Sequence, residues 1–507
     1  MTSRRPAAPG GTRPPLAVVD IGSNSGRMVV VSAAAEAHLA ILADARFPLR
    51  LVHDQAATGR LGDAAVARVV DAFRAFLALA RGTGAASLVA VATAAVRESS
   101  DRAEFVARVR EATGVGLEVL EGDAEARYAF LGAVHGLPVD SGLVVDIGGG
   151  SVEVCRFRDR RPLRQWTLPL GALRLSEVFL ATDPPRASEL GRLREHALDE
   201  IGRAGIPPLG PGERLVGTGG TLRNLGKVDR ARRAYPIGRL HGYRLDTHGL
   251  DLAVDALASR PLARRRRVPG LSDDRADSVV GGALCAQALC LALGADQILL
   301  SGRGLREGVA LERLGLPLRP AAEVRRSSME ALARRFAAWD ANRARLRSAL
   351  AVALLERLDP EAGPHSREML DHAAVILDAG RSVDYYARWE HAARVVADSD
   401  LYGFSHGEIV LISAILERAG TDRVSLPGYR SVLSADDRAQ LEPLSVILDL
   451  ADQLSHRLVS ERGMRVELRR GSAVLLLPAD VGPLDARTER RFRRCFDRRL
   501  RVEAVPA

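Results

Sequence analysis

Apolar residues in the first third of the chain fall in short runs that close on turns. Leu16 to Asp20 ends on a carboxylate and a tight turn, and Met28 to Ser32 and Leu39 to Phe47 follow as strand-like segments, which together predict a β-meander. Between Asp63 and Arg81 the residues Val66, Val69, Val70, Phe73, Phe76 and Leu77 recur at helical spacing, and an apolar strand from Ser87 to Thr93 comes next. Ser99 or Ser100 is placed to cap a helix that runs to Arg110. A strand over Leu117 to Leu120 leads into a helix from Glu121 to about His135, with carboxylates in its first turn, where the helix dipole favours them.

The scheme then repeats. Leu143 to Asp146, Val152 to Arg158 and Trp166 to Leu170 predict three strands, and helices follow at about Leu173 to Leu180 and Ala187 to Ala204. Leu215 to Asn224 reads as a strand, a glycine-rich turn and a helix start, while Asp274 to Leu293 is helical and Gln297 to Leu300 is a strand before the turn Ser301 to Gly308. From about Pro320 to Ser460 strand signals vanish, and long helices rich in arginine and alanine predict a separate α-helical domain. Met464 to Leu477 alternates around Arg470-Gly-Ser472, a hairpin signal, and a basic helix follows with eight arginines against four acids from Leu484 to Ala507. The expected organisation is a disordered tail (1–15), a first α/β lobe (16–135), a second (136–318), a helical domain (319–460) and a small basic α+β domain (461–507).

The repetition extends to residue identity. Val-Val-Asp-Ile-Gly begins at Val18 and again at Val144, continuing as Gly22-Ser23-Asn24-Ser25 in the first copy and Gly148-Gly149-Gly150-Ser151 in the second. A buried strand that ends on a carboxylate and a glycine turn suits phosphate, because backbone N–H groups can approach the anion and the carboxylate can hold the metal that neutralises it. Two copies suggest two similar lobes facing one phosphate site. Each turn alone is weak support; the conjunction with Gly217-Thr-Gly219-Gly220 and Ser301-Gly-Arg-Gly is strong.

Composition adds boundaries. At 507 residues the chain is long enough for roughly three or four domains. With 47% hydrophobic and 27% charged residues it has the balance of a globular protein, and no apolar run approaches the roughly 18 residues of a membrane span. The start of the chain carries arginines with no apolar segment behind them, so a cytoplasmic protein is expected. Four cysteines without metal-ligand spacing argue against a disulfide framework. Net charge is +9, and Lys227 is the one lysine among 72 basic residues. A GC-rich genome accounts for that bias, and planar guanidinium groups also suit a polyanionic partner. Aromatic residues at 4% argue against a stacking platform for single-stranded nucleic acid.

The segments VDIGSNSGRMVV, ATAAVRES, EGDAEARYAFLGAV, VVDIGGGSVE, LPLGALRL, VGTGGTLRN, PGLSDDRADSVVGGA and SGRGLREG occur in order between about residues 16 and 315. In these the chain resembles the exopolyphosphatase and guanosine pentaphosphate phosphohydrolase family, whose catalytic half belongs to the sugar kinase, heat-shock chaperone and actin superfamily. The resemblance implies duplicated actin-like (ribonuclease H-like) α/β lobes, then an all-α HD-like domain and a small α+β end. It also implies Mg²⁺-assisted hydrolysis of a terminal phosphoanhydride in the cleft between the lobes, with a monovalent cation such as K⁺ as a further candidate cofactor, and a homodimer.

Carried over by position, the resemblance makes Glu125 the general base that orients and deprotonates water, with Glu121 and Asp123 as rivals. Asp146 would hold Mg²⁺ with Glu153 behind it and Asp20 as its counterpart in the first lobe. Gly22, Ser23, Asn24, Gly148, Gly149, Gly150, Ser151 and Gly219 would cradle phosphates, and Arg97 would clamp the terminal one. Arg275 is a further phosphate candidate, although a salt bridge with Asp273, Asp274 or Asp277 would account for it equally. Arg264 to Arg267 reads first as a solvated charge run.

In the helical domain the match to an HD phosphohydrolase breaks down. The His-Asp doublet is Leu377-Asp378, the upstream histidine falls at Asn342, and only His391 and Asp452 occupy plausible ligand positions, so no second active site is expected. The expected function is removal of terminal phosphate from inorganic polyphosphate, with guanosine pentaphosphate as the alternative substrate and a non-hydrolytic sensor of such anions as the alternative class. Neither a membrane nor a specific nucleic acid is expected as partner.

Overall fold

The computed structural model describes residues 14–504 apart from 36–37, 422–423, 426–427 and 479, so most of the expected tail lies outside the described residues. Two compact units emerge: the chain up to Tyr235 with Arg239–Val324, and Pro236–Gly238 with the chain from Arg325 onward.

The first unit contains two sheets built on one plan. Strands β1 (Leu16–Ile21), β2 (Ser25–Ala35), β3 (His38–Pro48), β4 (Ser87–Ala92) and β5 (Leu117–Val119) order as β3-β2-β1-β4-β5. The second sheet comprises β6 (Gly142–Ile147), β7 (Val152–Arg158), β8 (Arg161–Leu168), β9 (Arg214–Thr218), β10 (Arg244–Asp246) and β11 (Gln297–Leu300), ordered β10-β11-β9-β6-β7-β8. In each, a three-strand antiparallel meander is continued by a parallel strand, β4 beside β1 and β9 beside β6. The register repeats too: Asp20 lies opposite Arg27, and Asp146 lies opposite Glu153.

Both faces of the central strands β1 and β6 are covered, which explains their unbroken apolar runs, while the edge strands β3 and β8 stay largely exposed. Ala17, Val19 and Ile21 bury against helices Gly62–Gly82 and Arg102–Thr113, while Leu16 and Val18 face the opposite way, onto Leu305, Val309 and Leu311 of helix Leu305–Arg313. In the second sheet Val144, Cys155, Phe157 and Val216 pack on Ala126, Phe130 and Ala133 of helix Gly122–His135. The helices are therefore exchanged: helix 122–135, from the first residue range, closes the second sheet, and helix 305–313, from the second range, closes the first. Where these two helices cross, a methyl group on Gly132 would overlap the Gly304 carbonyl and one on Gly308 would overlap the Tyr128 carbonyl. Strand alternation puts Asp20 on the face of Leu16 and Val18, and Asp146 on the face of Val144.

Some local expectations are corrected. Neither Ser99 nor Ser100 caps helix Arg102–Thr113, the second helix after β4; Asp101 precedes it and turns its carboxylate to Leu61 N (2.9 Å) and Gly62 N (3.0 Å), at the start of helix 62–82. The predicted helix from Asp274 is a 3₁₀ turn over Asp273–Arg275 followed by helix Val279–Leu293.

In the second unit, five helices (Ala341–Leu358, Pro364–Ile376, Arg388–Asp398, His406–Gly420 and Ala435–Ser455) surround a buried charge cluster. Arg347, wholly buried, donates to Asp378 Oδ2 at 2.9 Å and to Asp452 Oδ1 at 2.7 Å, and Arg388 reaches Asp452 Oδ2 at 3.2 Å. Burial would lower the Arg347 pKa, yet the two carboxylates outweigh it and hold the guanidinium charged. An internal cation thus joins the two acids that an HD site would give to metal, and His391 is not among their partners. The chain ends in the sheet β12 (Arg465–Arg469), β13 (Ser472–Leu477) and β14 (Arg499–Ala504), with helix Ala486–Phe496 between the last two strands. The expected basic helix covers Ala486–Phe496; beyond it Leu500, Val502 and Ala504 alternate with Arg499, Arg501 and Glu503, and that period pairs β14 parallel to β13.

Candidate active site

The two duplicated turns have the same construction. Gly22 N donates to Ser25 O at 3.2 Å and Gly148 N to Ser151 O at 3.0 Å, so each turn presents its intervening backbone to one cavity. The turns also abut each other. An added Cβ on Gly150 would lie 2.9 Å from Ser23 Oγ and 3.3 Å from Ala94 Cβ, a gap only glycine leaves open. Gly219, at φ +91°, sits so close to Asp146 that a methyl group would collide with Oδ1.

Asp20, Gly22, Ser23, Asn24, Glu125, Asp146, Gly148, Gly149, Gly150, Ser151, Glu153, Gly219 and Arg275 all line this one cavity. Arg97 does not. Its Nη1 instead donates to Glu125 Oε2 at 2.7 Å and to Leu120 O at 2.9 Å, so it braces a carboxylate rather than reaching into the cavity. The rivals for Glu125 also stand outside: Glu121 is exposed and pairs with Arg102 at 3.3 Å, and Asp123 is exposed.

Burial pushes the Glu125 pKa up to about 7, against the opposing pull of Arg97, with Asp20 and Asp146 adding to the rise. Glu153 is raised well above its ordinary value by burial and by Glu125; its carboxylate accepts from Ser151 Oγ. Burial raises Asp20 to about 6 and raises Asp146 as well. Burial keeps Asp20 and Asp146 raised although the facing arginines pull them down, and several perturbed acids in one cavity mark a candidate functional site.

Four arginines line the same space: Arg27, Arg223, Arg275 and Arg306. Three of them were missed in sequence, although Arg27 lies in the first duplicated motif and Arg223 and Arg306 each follow a glycine turn at the start of a helix. Arg223 is steadied by Gly302 O at 2.9 Å, and Arg27 by Ser25 Oγ at 3.3 Å. Burial, then mutual repulsion with Arg223, Arg306 and Arg275, holds Arg27 well below its ordinary pKa. Arg275 is buried, its Nε has no hydrogen-bond partner among the described residues, and its nearest acid, Asp274, is 3.9 Å away because that acid is engaged by Arg46. These groups call for an anion.

For a divalent cation the cavity offers Asp20 and Asp146, from equivalent strand ends, and Asp20 Oδ1 is buried with no hydrogen-bond partner among the described residues. Among the described residues no group of three His, Cys, Asp or Glu side chains is placed to hold a metal. Mg²⁺ is ordinarily held by one or two carboxylates plus phosphate oxygens and water, so a two-carboxylate site fits it. Among the described residues no helix is long and apolar enough to cross a membrane.

The model of the Ppx/GppA phosphatase family matches residues 29–316, and that of Ppx/GppA phosphatase domain III matches residues 324–468. Exopolyphosphatase 1 of Mycobacterium leprae is 32% identical over 303 residues, spanning 59% of this chain and 89% of that relative. Among solved structures, the Aquifex aeolicus member of the Ppx/GppA family is 27% identical with a TM-score of 0.52, over 59% of this chain and 97% of that one. An exopolyphosphatase from Cytophaga hutchinsonii, 21% identical with a TM-score of 0.54 over 60% of this chain and 99% of its own, shares the fold. With its duplicated actin-like lobes and its helical domain both matched, the chain belongs to the Ppx/GppA phosphatase family.

Proposed function

We propose that this phosphatase removes terminal orthophosphate from inorganic polyphosphate, with Glu125 as the general base. The observation that carries the reading is a single cavity in which a buried carboxyl with a pKa of about 7 stands among four arginines. A base of that pKa is ionised in a large fraction of molecules at neutral pH and still basic enough to take a proton.

Arg27, Arg223, Arg275 and Arg306 bind the last phosphates of the chain, and the Gly22–Asn24 and Gly148–Gly150 turns orient them through backbone N–H groups. Arg97 keeps the Glu125 carboxylate aimed into the cavity. Glu125 accepts a proton from water as the water oxygen bonds to the terminal phosphorus; the bridging P–O bond breaks, and its electron pair leaves on the shortened chain. Asp20 and Asp146 would hold Mg²⁺, which when bound supplies charge neutralisation to phosphate oxygens. Among the described residues the lining contains no aromatic ring, and Ala94 and Leu305 are its only aliphatic side chains, so it offers a purine no platform and favours a chain of bare phosphates.

The test is phosphate release from long polyphosphate, guanosine pentaphosphate and ATP by the purified protein, with and without Mg²⁺, beside Glu125→Gln. Mg²⁺-dependent release from polyphosphate, lost in the variant, is expected. Faster release from guanosine pentaphosphate would reassign the substrate, and tight binding without release from any of the three would overturn the catalytic reading.

A further inference from the structure

A second cavity lies at the far end of helix Gly219–Arg232 from the catalytic site. It measures about 560 Å³, against about 100 Å³ for the catalytic cavity, and it forms between that helix and helix Thr247–Ala258. Val228 and Ala253 are buried at its base with Leu252 beside them. Arg232, Arg260, Arg264 and Arg267 are exposed around it, and no acid lines it among the described residues.

The cationic rim is held in place. Arg265, between two rim arginines in sequence, is buried; its Nε donates to Leu257 O at 2.8 Å, its Nη1 to Ala276 O at 3.0 Å, and its Nη2 to Arg260 O at 2.8 Å and Asp183 Oδ1 at 3.2 Å. The run Arg264 to Arg267 is therefore not a uniformly solvated stretch: an internal anchor separates two cavity-lining guanidinium groups. Arg232 is already paired with Asp229 at 2.7 Å, and Arg260 folds back onto Ala256 O. Arg264 and Arg267 make no side-chain hydrogen bond or ion pair among the described residues.

Apolar pockets of roughly 300–1,000 Å³ with a few placed polar groups suit small organic ligands. A bare phosphate chain would leave the apolar base wet, and an uncharged hydrophobe would leave the two guanidinium groups uncovered. We propose that this cavity binds an organic phosphate of nucleotide size, its apolar or heterocyclic body resting on Val228, Leu252 and Ala253 and its phosphate held by Arg264 and Arg267. The site is separate from the proposed catalytic reading, although one helix of about 20 Å carries both Arg223 in the catalytic cavity and Arg232 in this one.

The test uses the full chain with N-methylanthraniloyl derivatives of ADP and GDP, and reads binding by fluorescence anisotropy. The double variant Arg264→Glu with Arg267→Glu weakens at least one probe by about tenfold or more. Ala256→Trp, which fills the cavity from helix 247–258 without touching charge, has the same effect and carries the test should the double variant not fold, as judged by thermal unfolding. Unchanged affinity in folded variants, or no binding of either probe to the parent chain, overturns the proposal. Displacement of the variant-sensitive signal by inorganic triphosphate as readily as by unlabelled ADP would overturn the role given to the apolar base.

Discussion

Arg97 Nη1 lies 2.7 Å from Glu125 Oε2, in an ion pair whose two side chains are each 11% exposed. The arginine comes from the short helix after β4, and the carboxylate from the first turn of the helix that closes the other sheet. Because Arg97 lowers a pKa that burial raises, Arg97→Met should move the acid limb of kcat/KM to higher pH. At neutral pH kcat/KM should fall about tenfold to a hundredfold. A pH–rate profile checks this; a rise in KM with no shift of the limb would return Arg97 to the role of phosphate clamp.

Stability and activity should run in opposite directions with pH. The Glu125 pKa is raised from 4.5 to about 7 in the folded chain, so its contribution to stability is complete below about 4.5 and is lost as pH rises through about 7. The ionised form is the working base, so kcat/KM rises over the same interval, with an apparent pKa that belongs to Glu125 and Glu153 together. Glu125→Gln should flatten the decline in denaturation midpoint between pH 5 and 8 while cutting kcat by about 10²–10⁴-fold.

Asp20→Asn should separate function from folding. Asp20 is raised from 3.8 to about 6, chiefly by burial, so its ionisation above pH 6 costs the fold an amount of order 1–3 kcal/mol. The amide removes that cost, and the thermal midpoint at pH 8 should rise. Phosphate release at low Mg²⁺ should fall, with partial recovery as Mg²⁺ is increased. A lower midpoint at pH 8 would contradict the buried-charge account.

The crossing of helices 122–135 and 305–313 tolerates no side chain at its closest points. Gly132→Ala and Gly308→Ala each drive a methyl group into a carbonyl of the other helix, and each should cost about 1–3 kcal/mol, read in urea unfolding. Alanine at Gly191, where nothing lies within 4 Å of an added Cβ, is the control and should be neutral or mildly stabilising.

Arg347→Met should destabilise the second unit by about 3–5 kcal/mol, because it leaves Asp378 and Asp452 buried without their cation. Unfolding followed at Trp389 reports the change, and addition of Mn²⁺ should not restore the midpoint.

Much of this architecture could be read from the chain because its signals are local. The Val-Val-Asp-Ile-Gly copies place Asp20 and Asp146 at equivalent strand ends, and the glycine turns mark nearly the whole rim of the cavity. Relations between distant segments were not legible. Nothing near Arg97 announces that its partner is Glu125, 28 residues later, and nothing near Arg347 announces two acids 31 and 105 residues away. Arg27, Arg223 and Arg306 stood in the right motifs, but in a chain whose basic residues are almost all arginine, identity alone could not single them out.

The exchange of helices 122–135 and 305–313 has a consequence for dissecting the protein. A fragment cut after residue 135 would keep the first sheet without the helix that covers Leu16 and Val18, and would carry Phe130 and Ala133 with no sheet to cover. The remaining piece would have the reverse defect. Expressed apart, the halves should aggregate; expressed together, they should find each other, because each supplies the missing wall of the other. The lobes are thus copies in plan but not modules in inheritance: a shuffling event that moved one without the other would leave both unfinished.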